Sequence, residues 1–207
     1  MENQVKTLMA ELKEEQVLAL VKKQIDDGVD VNEILAACQE GMISVGKKFE
    51  TGKYYISDLM MAGEIFKQIS ELIAPFMTTE NRSSAGKIVV GTVKDDIHDI
   101  GKDLVVGMLK SANFEVTDLG VDVPAERFVE AVKETGATVV SLSALMTVAF
   151  DSIKATISAF EEAGLRGKIK IMIGGGPVDE TVCKYTGADN WGADAQAAVT
   201  IAKGWLS

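Results

Sequence analysis

The sequence contains few of the residues that carry most metal and acid–base chemistry: one histidine, His98, and two cysteines, Cys38 and Cys183. The cysteines do not have the short spacing of a zinc site or the pattern of a disulfide framework. We therefore expect both to be buried free thiols. Any function that needs an imidazole has one candidate residue, His98.

Positive charge, proline and long apolar runs are also scarce. Lys and Arg number 21 against 31 Asp and Glu, and phosphate recognition depends on clustered basic residues, so nucleic-acid binding is disfavoured. No apolar stretch reaches the roughly 18 residues that span a bilayer, and the N-terminus is too polar for a signal peptide. With 47% hydrophobic residues and three prolines, the composition is that of a globular protein. We expect it to be cytoplasmic, without a membrane or nucleic-acid partner.

The N-terminal residues have the three-and-four apolar spacing of amphipathic helices. Helices are predicted over Val5–Leu12, Val17–Ile25, Val31–Phe49 and from the Ser57–Asp58 region, which suits a helix N-terminus, to Phe76. Between Phe76 and Lys87 this periodicity gives way to Thr, Ser, Asn and Gly, as in a solvated linker. We therefore predict a helical domain over residues 1–80 and a second domain over residues 86–207.

The second domain alternates short apolar runs with amphipathic helices. Strands covered on both faces are predicted at Ile88–Val93, Val116–Leu119, Val139–Ser143 and Ile169–Ile173. Helices are predicted near Lys102–Ala112, Ala125–Thr135, Thr147–Ala163 and Ala193–Trp205. This alternation predicts an α/β fold with a doubly wound, flavodoxin-like parallel sheet. Ligands bind such sheets beyond the carboxyl ends of the strands, so the loops after Val93, Ser143 and Ile173 are the expected site.

Each of these loops carries an unusual motif. The first reads Asp96-Ile97-His98-Asp99-Ile100-Gly101, the second Ser143-Ala144-Leu145 and the third Gly174-Gly175-Gly176. Taken singly, the motifs have ordinary explanations: a surface histidine, a helix cap and a tight turn. They stand, however, in one order and at definite gaps, with 41 residues between Gly101 and Ser143 and 28 between Leu145 and Gly174.

Together the motifs resemble the cobalamin-binding family that includes the cobalamin domain of methionine synthase and the corrinoid proteins of methanol and methylamine methyltransferase systems. The family pattern is DxHxxG, then SxL about forty residues later, then GG. The methyltransferase members also carry a helical cap before this domain, and the segment GKKFETGKYYISDLMMAGEIF looks like theirs. The resemblance covers essentially the whole chain.

A corrin supplies four equatorial nitrogens to its cobalt, so the protein need offer only one axial ligand, for which neutral imidazole is the usual choice. The resemblance makes His98 that ligand in a base-off cobalamin. Asp96, in an extended loop, can accept the second ring N–H of His98, fix its tautomer and support proton uptake by the pair.

The resemblance also implies further contacts with the cofactor. In the family the nucleotide tail enters the α/β domain, where Ser143 would hydrogen-bond and Leu145 would pack, and the glycines would leave room that a Cβ would fill. The full expected set is Asp96, His98, Asp99, Ile100, Gly101, Ser143, Leu145, Thr147, Gly174 and Gly175. Four residues of the cap are expected over the methyl-bearing face: Phe49, Tyr55, Leu59 and Met60.

One position departs from the family pattern. Methionine synthase has a serine at the place of Ala149, which extends the histidine–aspartate pair into a relay. Alanine cannot hydrogen-bond, so proton exchange at the pair runs through water or Thr147, or is weaker.

The resemblance implies a methyl carrier that is not an enzyme on its own. A substrate-specific methyltransferase would load the methyl group and a second would remove it to tetrahydrofolate or a thiol, with a reductive activation protein as a further partner. The segment from Thr78 to Ala85 would act as a hinge for the cap.

Three alternatives stay open on the sequence. The chain could be the small cobalamin-binding subunit of an adenosylcobalamin-dependent mutase, although those subunits usually lack this helical cap. It could be a cobalamin-dependent transcriptional sensor, although no basic helix-turn-helix segment occurs. A flavodoxin-like protein with another cofactor would leave the three-part pattern unexplained.

Overall fold

The computed structural model describes residues 4–77 and 84–206 and divides the chain into two compact units, Met1–Ser83 and Ser84–Ser207. The first is helical and the second is a parallel sheet with helices, which confirms the predicted fold class. No helix among the described residues is both long and apolar enough to cross a membrane.

The helical unit is built from four α-helices and a short 3₁₀ turn among its described residues. They are α1 (Gln4–Ala10), α2 (Glu14–Asp26), α3 (Val31–Glu50), α4 (Ile56–Ile73) and the 3₁₀ turn Ala74–Phe76. Helices α1 and α3 approach so closely at Gly41 that a Cβ there would lie 2.6 Å from the Cβ of Met9. Apolar residues at helical spacing fill this unit's interior, among them Val5, Val21, Ile34, Cys38, Met42, Ile65 and Ile69.

Side-chain caps fix where the two long helices begin. Asp30 precedes α3 and accepts the N–H of Asn32 at 2.9 Å. At the start of α4 the carboxylate of Asp58 accepts the N–H of Tyr55 at 2.7 Å, so the cap lies two residues before the expected Ser57. Both caps satisfy N–H groups that have no partner inside the helix.

The second unit is a five-stranded, wholly parallel sheet in the order β2-β1-β3-β4-β5. Its strands are β1 (Lys87–Thr92), β2 (Glu115–Asp118), β3 (Val139–Ser143), β4 (Lys170–Gly174) and β5 (Asn190–Gly192). Its helices are α5 (Ile100–Ser111), α6 (Ala125–Thr135), α7 (Phe150–Glu162), α8 (Glu180–Thr186) and α9 (Ala195–Leu206). Helix α5 packs with α9, and α7 packs with α6 and α8, as expected for a doubly wound sheet covered on both faces.

Four elements of the second unit differ from the sequence prediction by more than a residue or two at their ends. Strand β5 and helix α8 were not predicted, because Asn190–Gly192 has no apolar run and Glu180–Thr186 is only seven residues long. The prediction that β2 is covered on both faces was wrong: it is an edge strand with exposed ends and half-buried Val116 and Thr117. The helix predicted from Thr147 begins as a 3₁₀ turn over Thr147–Ala149.

A buried lysine in the first turn of α5 forms an ion pair with the last residue of β2. Lys102 is 3% exposed, and its Nζ lies 2.7 Å from Oδ2 of Asp118 and also contacts the carboxylate of Asp103. Burial alone would lower the pKa of Lys102, but the bonds to the two carboxylates outweigh it and raise the pKa. The ion pairs therefore stabilise the charged lysine and fix the helix that follows the His98 loop.

Candidate functional site

The three sequence motifs meet at the carboxyl edge of the sheet. Thr92 at the end of β1 pairs with Ser143 at the end of β3, and Ser143 pairs with Gly174 at the end of β4. The loops that follow these residues are therefore neighbours in space. This is the edge at which ligands bind in doubly wound sheets.

His98 and Asp96 are in direct contact at this edge. Nδ1 of His98 lies 2.7 Å from Oδ1 of Asp96. An ionised carboxylate can only accept, so the ring proton resides on Nδ1. The Asp96 side chain is fully buried whereas that of His98 is 49% exposed, and Nε2 makes no hydrogen bond to any described residue. In the neutral tautomer with its proton on Nδ1, Nε2 carries the free lone pair, and the buried carboxylate lies behind the ring.

The Asp96 carboxylate accepts four hydrogen bonds from described residues. Oδ1 accepts the main-chain N–H of His98 at 3.0 Å as well as Nδ1, and Oδ2 accepts the main-chain N–H groups of Leu145 at 2.7 Å and Met146 at 2.9 Å. Burial alone would raise the pKa of Asp96, but the bonds from Met146, His98 and Leu145 outweigh it and lower the pKa to about 2. Asp96 is therefore a fixed anion at neutral pH.

The hydrogen bonds of Asp96 are relevant to Ala149, the position at which the sequence departs from the family pattern. Ala149 is fully buried, while the side chain of Thr147 is exposed. Within the described part of the chain, the bonds to the carboxylate come from His98, Leu145 and Met146, and Thr147 provides none. The main-chain N–H groups of Leu145, the last residue of the second motif, and of Met146 after it thus bind Oδ2, and the structure does not bring Thr147 to the pair.

The loop that carries His98 is also held through its main chain. The hydroxyl of Thr92, a fully buried side chain, donates to the carbonyl of His98 at 2.9 Å. The sequence reasoning missed Thr92, which lies within an apolar strand. A polar residue at the last position of a buried strand, just before the motif, was the available signal.

The glycines of the third motif are explained in part by the protein's own backbone. A Cβ on Gly175, whose φ is +141°, would lie 1.8 Å from the carbonyl oxygen of Ala144. The Ala144 main chain therefore occupies the volume beside Gly175. This explains the glycine in a different way from the sequence analysis, which attributed it to a pocket for the nucleotide tail. At Gly174 the nearest atom would be 3.5 Å away, and at Gly101 no atom lies within 4 Å.

Exposed apolar side chains are concentrated in the loops at this edge. Among the described residues of the α/β unit, six of the seven large hydrophobic side chains that are exposed lie in these loops, in the 3₁₀ turn Thr147–Ala149 or at the first residue of α5: Ile97, Ile100, Val121, Leu145, Met146 and Val148. Such concentrations mark binding surfaces in otherwise soluble folds. Asp99 precedes α5 and is exposed, and Ser143 is half-buried.

The four cap residues of the prediction lie in the helical unit. Tyr55 is 71% exposed and Met60 is 49% exposed, Phe49 is half-buried, and Leu59 is 2% exposed. Tyr55 and Met60 thus have free surface, whereas Leu59 lies among the core residues.

Both cysteines are buried free thiols, and burial raises the pKa of Cys38 to about 12.

The second unit is a doubly wound domain in which a buried carboxylate supports one imidazole, and exposed apolar side chains lie in the loops at the same edge of the sheet. These features suit a large, planar cofactor with a metal at its centre. The metal of such a cofactor needs only one further ligand from the protein. Residues 86–200 match a family model described as a B12 binding domain, and residues 1–73 match a second model with the same description. The chain belongs to the B12-binding domain family, which confirms the resemblance and the cobalamin cofactor predicted from the three motifs.

Named relatives and solved structures agree with this assignment. The chain is 41% identical to dimethylamine corrinoid protein 1 of Methanosarcina acetivorans over 94% of its length and 92% of that protein. It is similar to a cobalamin-binding protein from Desulfitobacterium hafniense, with 37% identity, a TM-score of 0.81 and coverage of 100% and 99%. It is also similar to the methanol:cobalamin methyltransferase complex MtaBC from Methanosarcina barkeri, with 26% identity, a TM-score of 0.85 and coverage of 98% and 78%.

Proposed function

We propose that this chain is the corrinoid protein of a methyltransferase system and that it carries a methyl group between two methyltransferases on a base-off, His98-ligated cobalamin. The observation that carries the proposal is the setting of the imidazole: Nδ1 contacts the buried Asp96 at 2.7 Å, and the His98 side chain is 49% exposed at the carboxyl edge of the sheet. This is the arrangement that an axial histidine ligand requires.

The names of the relatives support the role. One is a dimethylamine corrinoid protein, and one solved structure is of a methanol:cobalamin methyltransferase complex. Both names connect a cobalamin-type cofactor to methylated substrates, and none of the relatives reported above is a mutase. A substrate-specific methyltransferase is therefore the expected first partner and a second methyltransferase the expected acceptor side.

When bound, the corrinoid supplies a cobalt centre that can accept and release a methyl group. His98 would hold it through Nε2, and the anionic Asp96 would keep the Nδ1 proton in place and increase the basicity of the ring. The three main-chain hydrogen bonds to Asp96, from His98, Leu145 and Met146, would hold this carboxylate in place whether or not His98 is bound to the metal.

The remaining contacts are part of the same proposal. The exposed apolar side chains of Ile100 and Leu145 would lie against the macrocycle, and the open space beside Gly101 would let it approach the main chain. Contacts to the cofactor and its tail are proposed for Asp99, Ser143, Thr147, Gly174 and Gly175.

The cap residues and the hinge stay predictions of the sequence. Phe49, Tyr55, Leu59 and Met60 are expected to shield the cofactor, and the proposed hinge from Thr78 to Ala85 falls mainly on residues 78–83, outside the described residues. Tetrahydrofolate and a thiol are both retained as acceptors, together with a reductive activation protein as a partner.

Reconstitution with cobalamin tests the proposal. The wild-type apoprotein, reconstituted with hydroxocobalamin and reduced to cob(II)alamin, should show the absorbance spectrum of nitrogen-ligated cobalt and the electron-spin-resonance splitting of one axial nitrogen, whereas His98→Ala should show the base-off spectrum. Because His98 is the only histidine, the loss of this splitting in His98→Ala assigns the ligand without further variants. A wild-type protein that stays colourless, or a His98→Ala variant with unchanged splitting, contradicts the proposal.

The carrier role needs a second measurement. Protein reconstituted with methylcobalamin should lose its methyl group to tetrahydrofolate or to a thiol when the matching second methyltransferase is added, and His98→Ala should do so more slowly. Absence of transfer to either acceptor with any methyltransferase encoded beside this chain would contradict the carrier role while leaving cobalamin binding intact.

A further inference from the structure

Two aspartates in contact beyond the ends of β1 and β2 have main-chain conformations that residues other than glycine seldom adopt. Asp95 has a φ of 68° and Asp122 a φ of 52°. Both values lie in the left-handed region, where strain persists only if the surrounding contacts hold it in place. The loops after these two strands are thus fixed in one paired conformation directly before the His98 turn.

Asp122 connects the two loops through its side chain and through its main chain. The N–H of Asp95 donates to Oδ1 of Asp122 at 2.8 Å, and the N–H of Asp122 donates to the carbonyl of Asp96 at 2.9 Å. Asp122 therefore bonds to the main chain at both residues of the Asp95–Asp96 segment. The first of these bonds uses a side-chain oxygen, so it depends on which residue occupies position 122.

The contact continues the strand pairing up to the site. Val93 and Val123 form a parallel bridge, and the N–H of Val123 donates to the carbonyl of Thr92 at 3.0 Å. The main chain on either side of Asp122 and Asp95 is thus anchored to the sheet. The contacts of Asp122 thus connect position 122 directly to a segment that is already anchored to the sheet.

We propose that Asp122 is a positioning residue for His98. By holding the main chain of Asp95 and Asp96 it sets where the Asp96 carboxylate lies, and this carboxylate sets the direction of the imidazole. The inference rests on the proposed function, since it concerns how the ligand is aimed at the cobalt. Asp122 lies outside the three-part motif, on a loop to which the sequence assigned no role.

Two substitutions separate the side-chain bond from the backbone conformation. Asp122→Asn keeps an oxygen that can accept from Asp95, whereas Asp122→Gly permits the same φ but removes the acceptor. In the apoprotein, hydrogen exchange at the Asp95 N–H should be about fivefold faster in the Gly variant, as expected for the loss of one hydrogen bond. After reconstitution with cob(II)alamin, a smaller fraction of the Gly variant should show the axial-nitrogen splitting. The Asn variant should match the wild type in both measurements.

Asp30→Gly is the matched control, because it removes another exposed carboxylate that accepts a main-chain N–H, that of Asn32 at 2.9 Å. It should leave the nitrogen splitting unchanged. An unchanged splitting in Asp122→Gly overturns the proposal, and so does an Asn variant that behaves like the Gly variant. If Asp122→Gly does not fold in buffer alone, the same two measurements are made on it in sucrose, which favours the folded state. A wild-type protein without the splitting refutes the proposed function itself, independently of Asp122.

Discussion

Met146 and Asp96 lie fifty residues apart in the sequence, and the main-chain N–H of Met146 donates to Oδ2 of Asp96 at 2.9 Å. The N–H of Leu145 donates to the same oxygen at 2.7 Å. Two loops that follow adjacent strands are thus joined through one buried carboxylate. The support of His98 therefore depends on the second motif as well as on its own loop, and four predictions test this network and its surroundings.

Asp96→Asn should destabilise the apoprotein by about 2–3 kcal/mol. Both carboxylate oxygens accept main-chain N–H groups, so the NH₂ group of Asn faces the N–H groups of Leu145 and Met146 in one orientation and the N–H of His98 in the other. Urea unfolding of the apoprotein measures the change. Asp95→Asn, at the neighbouring exposed carboxylate, is the control and should stay within about 0.5 kcal/mol of the wild type. Equal midpoints for the wild type and Asp96→Asn would show that the four bonds contribute nothing.

The stability that Asp96 contributes should depend on pH in a definite direction. Its pKa is lowered to about 2 in the folded protein, against about 3.9 for an unperturbed aspartate. A depressed pKa stabilises the fold above the unfolded value, and this contribution is lost as the pH falls from about 4 through about 2. The difference in unfolding free energy between the wild type and Asp96→Asn should shrink by on the order of 2 kcal/mol over this range. A constant difference from pH 7 to pH 2 would be inconsistent with an anionic Asp96.

Gly175→Ala should destabilise the protein by about 2 kcal/mol or more, because the new Cβ would collide with the Ala144 carbonyl and the φ of +141° is unfavourable for alanine. Gly174→Ala is the matched control in the same motif, since its Cβ would meet only an ordinary contact at 3.5 Å. Thermal unfolding of the two apoprotein variants gives the comparison. The steric explanation fails if Gly175→Ala is no less stable than Gly174→Ala.

Lys102→Met should cost about 2 kcal/mol, less than the full penalty for breaking a buried ion pair, since Asp103 is 63% exposed and regains water. The methionine side chain keeps most of the apolar volume of the lysine stem, so the loss reports on the charge. Lys110→Met, at an exposed position in the last turn of the same helix, is the control. If both variants unfold at the same urea concentration, the ion pairs of Lys102 do not stabilise the start of α5.

The sequence predicted the elements that have a strong apolar pattern. Val139–Ser143 and Ala125–Thr135 were predicted with the same bounds as in the structure, because a buried strand and an amphipathic helix each leave a continuous signal. Strand β5, Asn190–Gly192, has no such signal, since its place in the sheet depends on pairing with β4. Tertiary pairing of this kind cannot be read from three residues.

The contact between His98 and Asp96 could be predicted from the sequence, whereas the main-chain contacts around it could not. The proximity of His98 and Asp96 follows from their spacing in a loop, and the structure brings the two side chains together. The donors at Leu145 and Met146 are peptide N–H groups, which every residue except proline has, so no residue type indicates them. The close approach of Gly175 to Ala144 depends in the same way on the geometry of two loops.

Leu145 and Met146 have a double role because their main chains hold Asp96 while their side chains are 45% and 41% exposed. Proline alone lacks a main-chain N–H, so every other residue at these two positions can still donate its N–H to the Asp96 carboxylate. The shape and polarity of the outer face can therefore be redesigned at residues 145 and 146, by exchange for larger, smaller or polar side chains, while the electrostatic setting of His98 is retained.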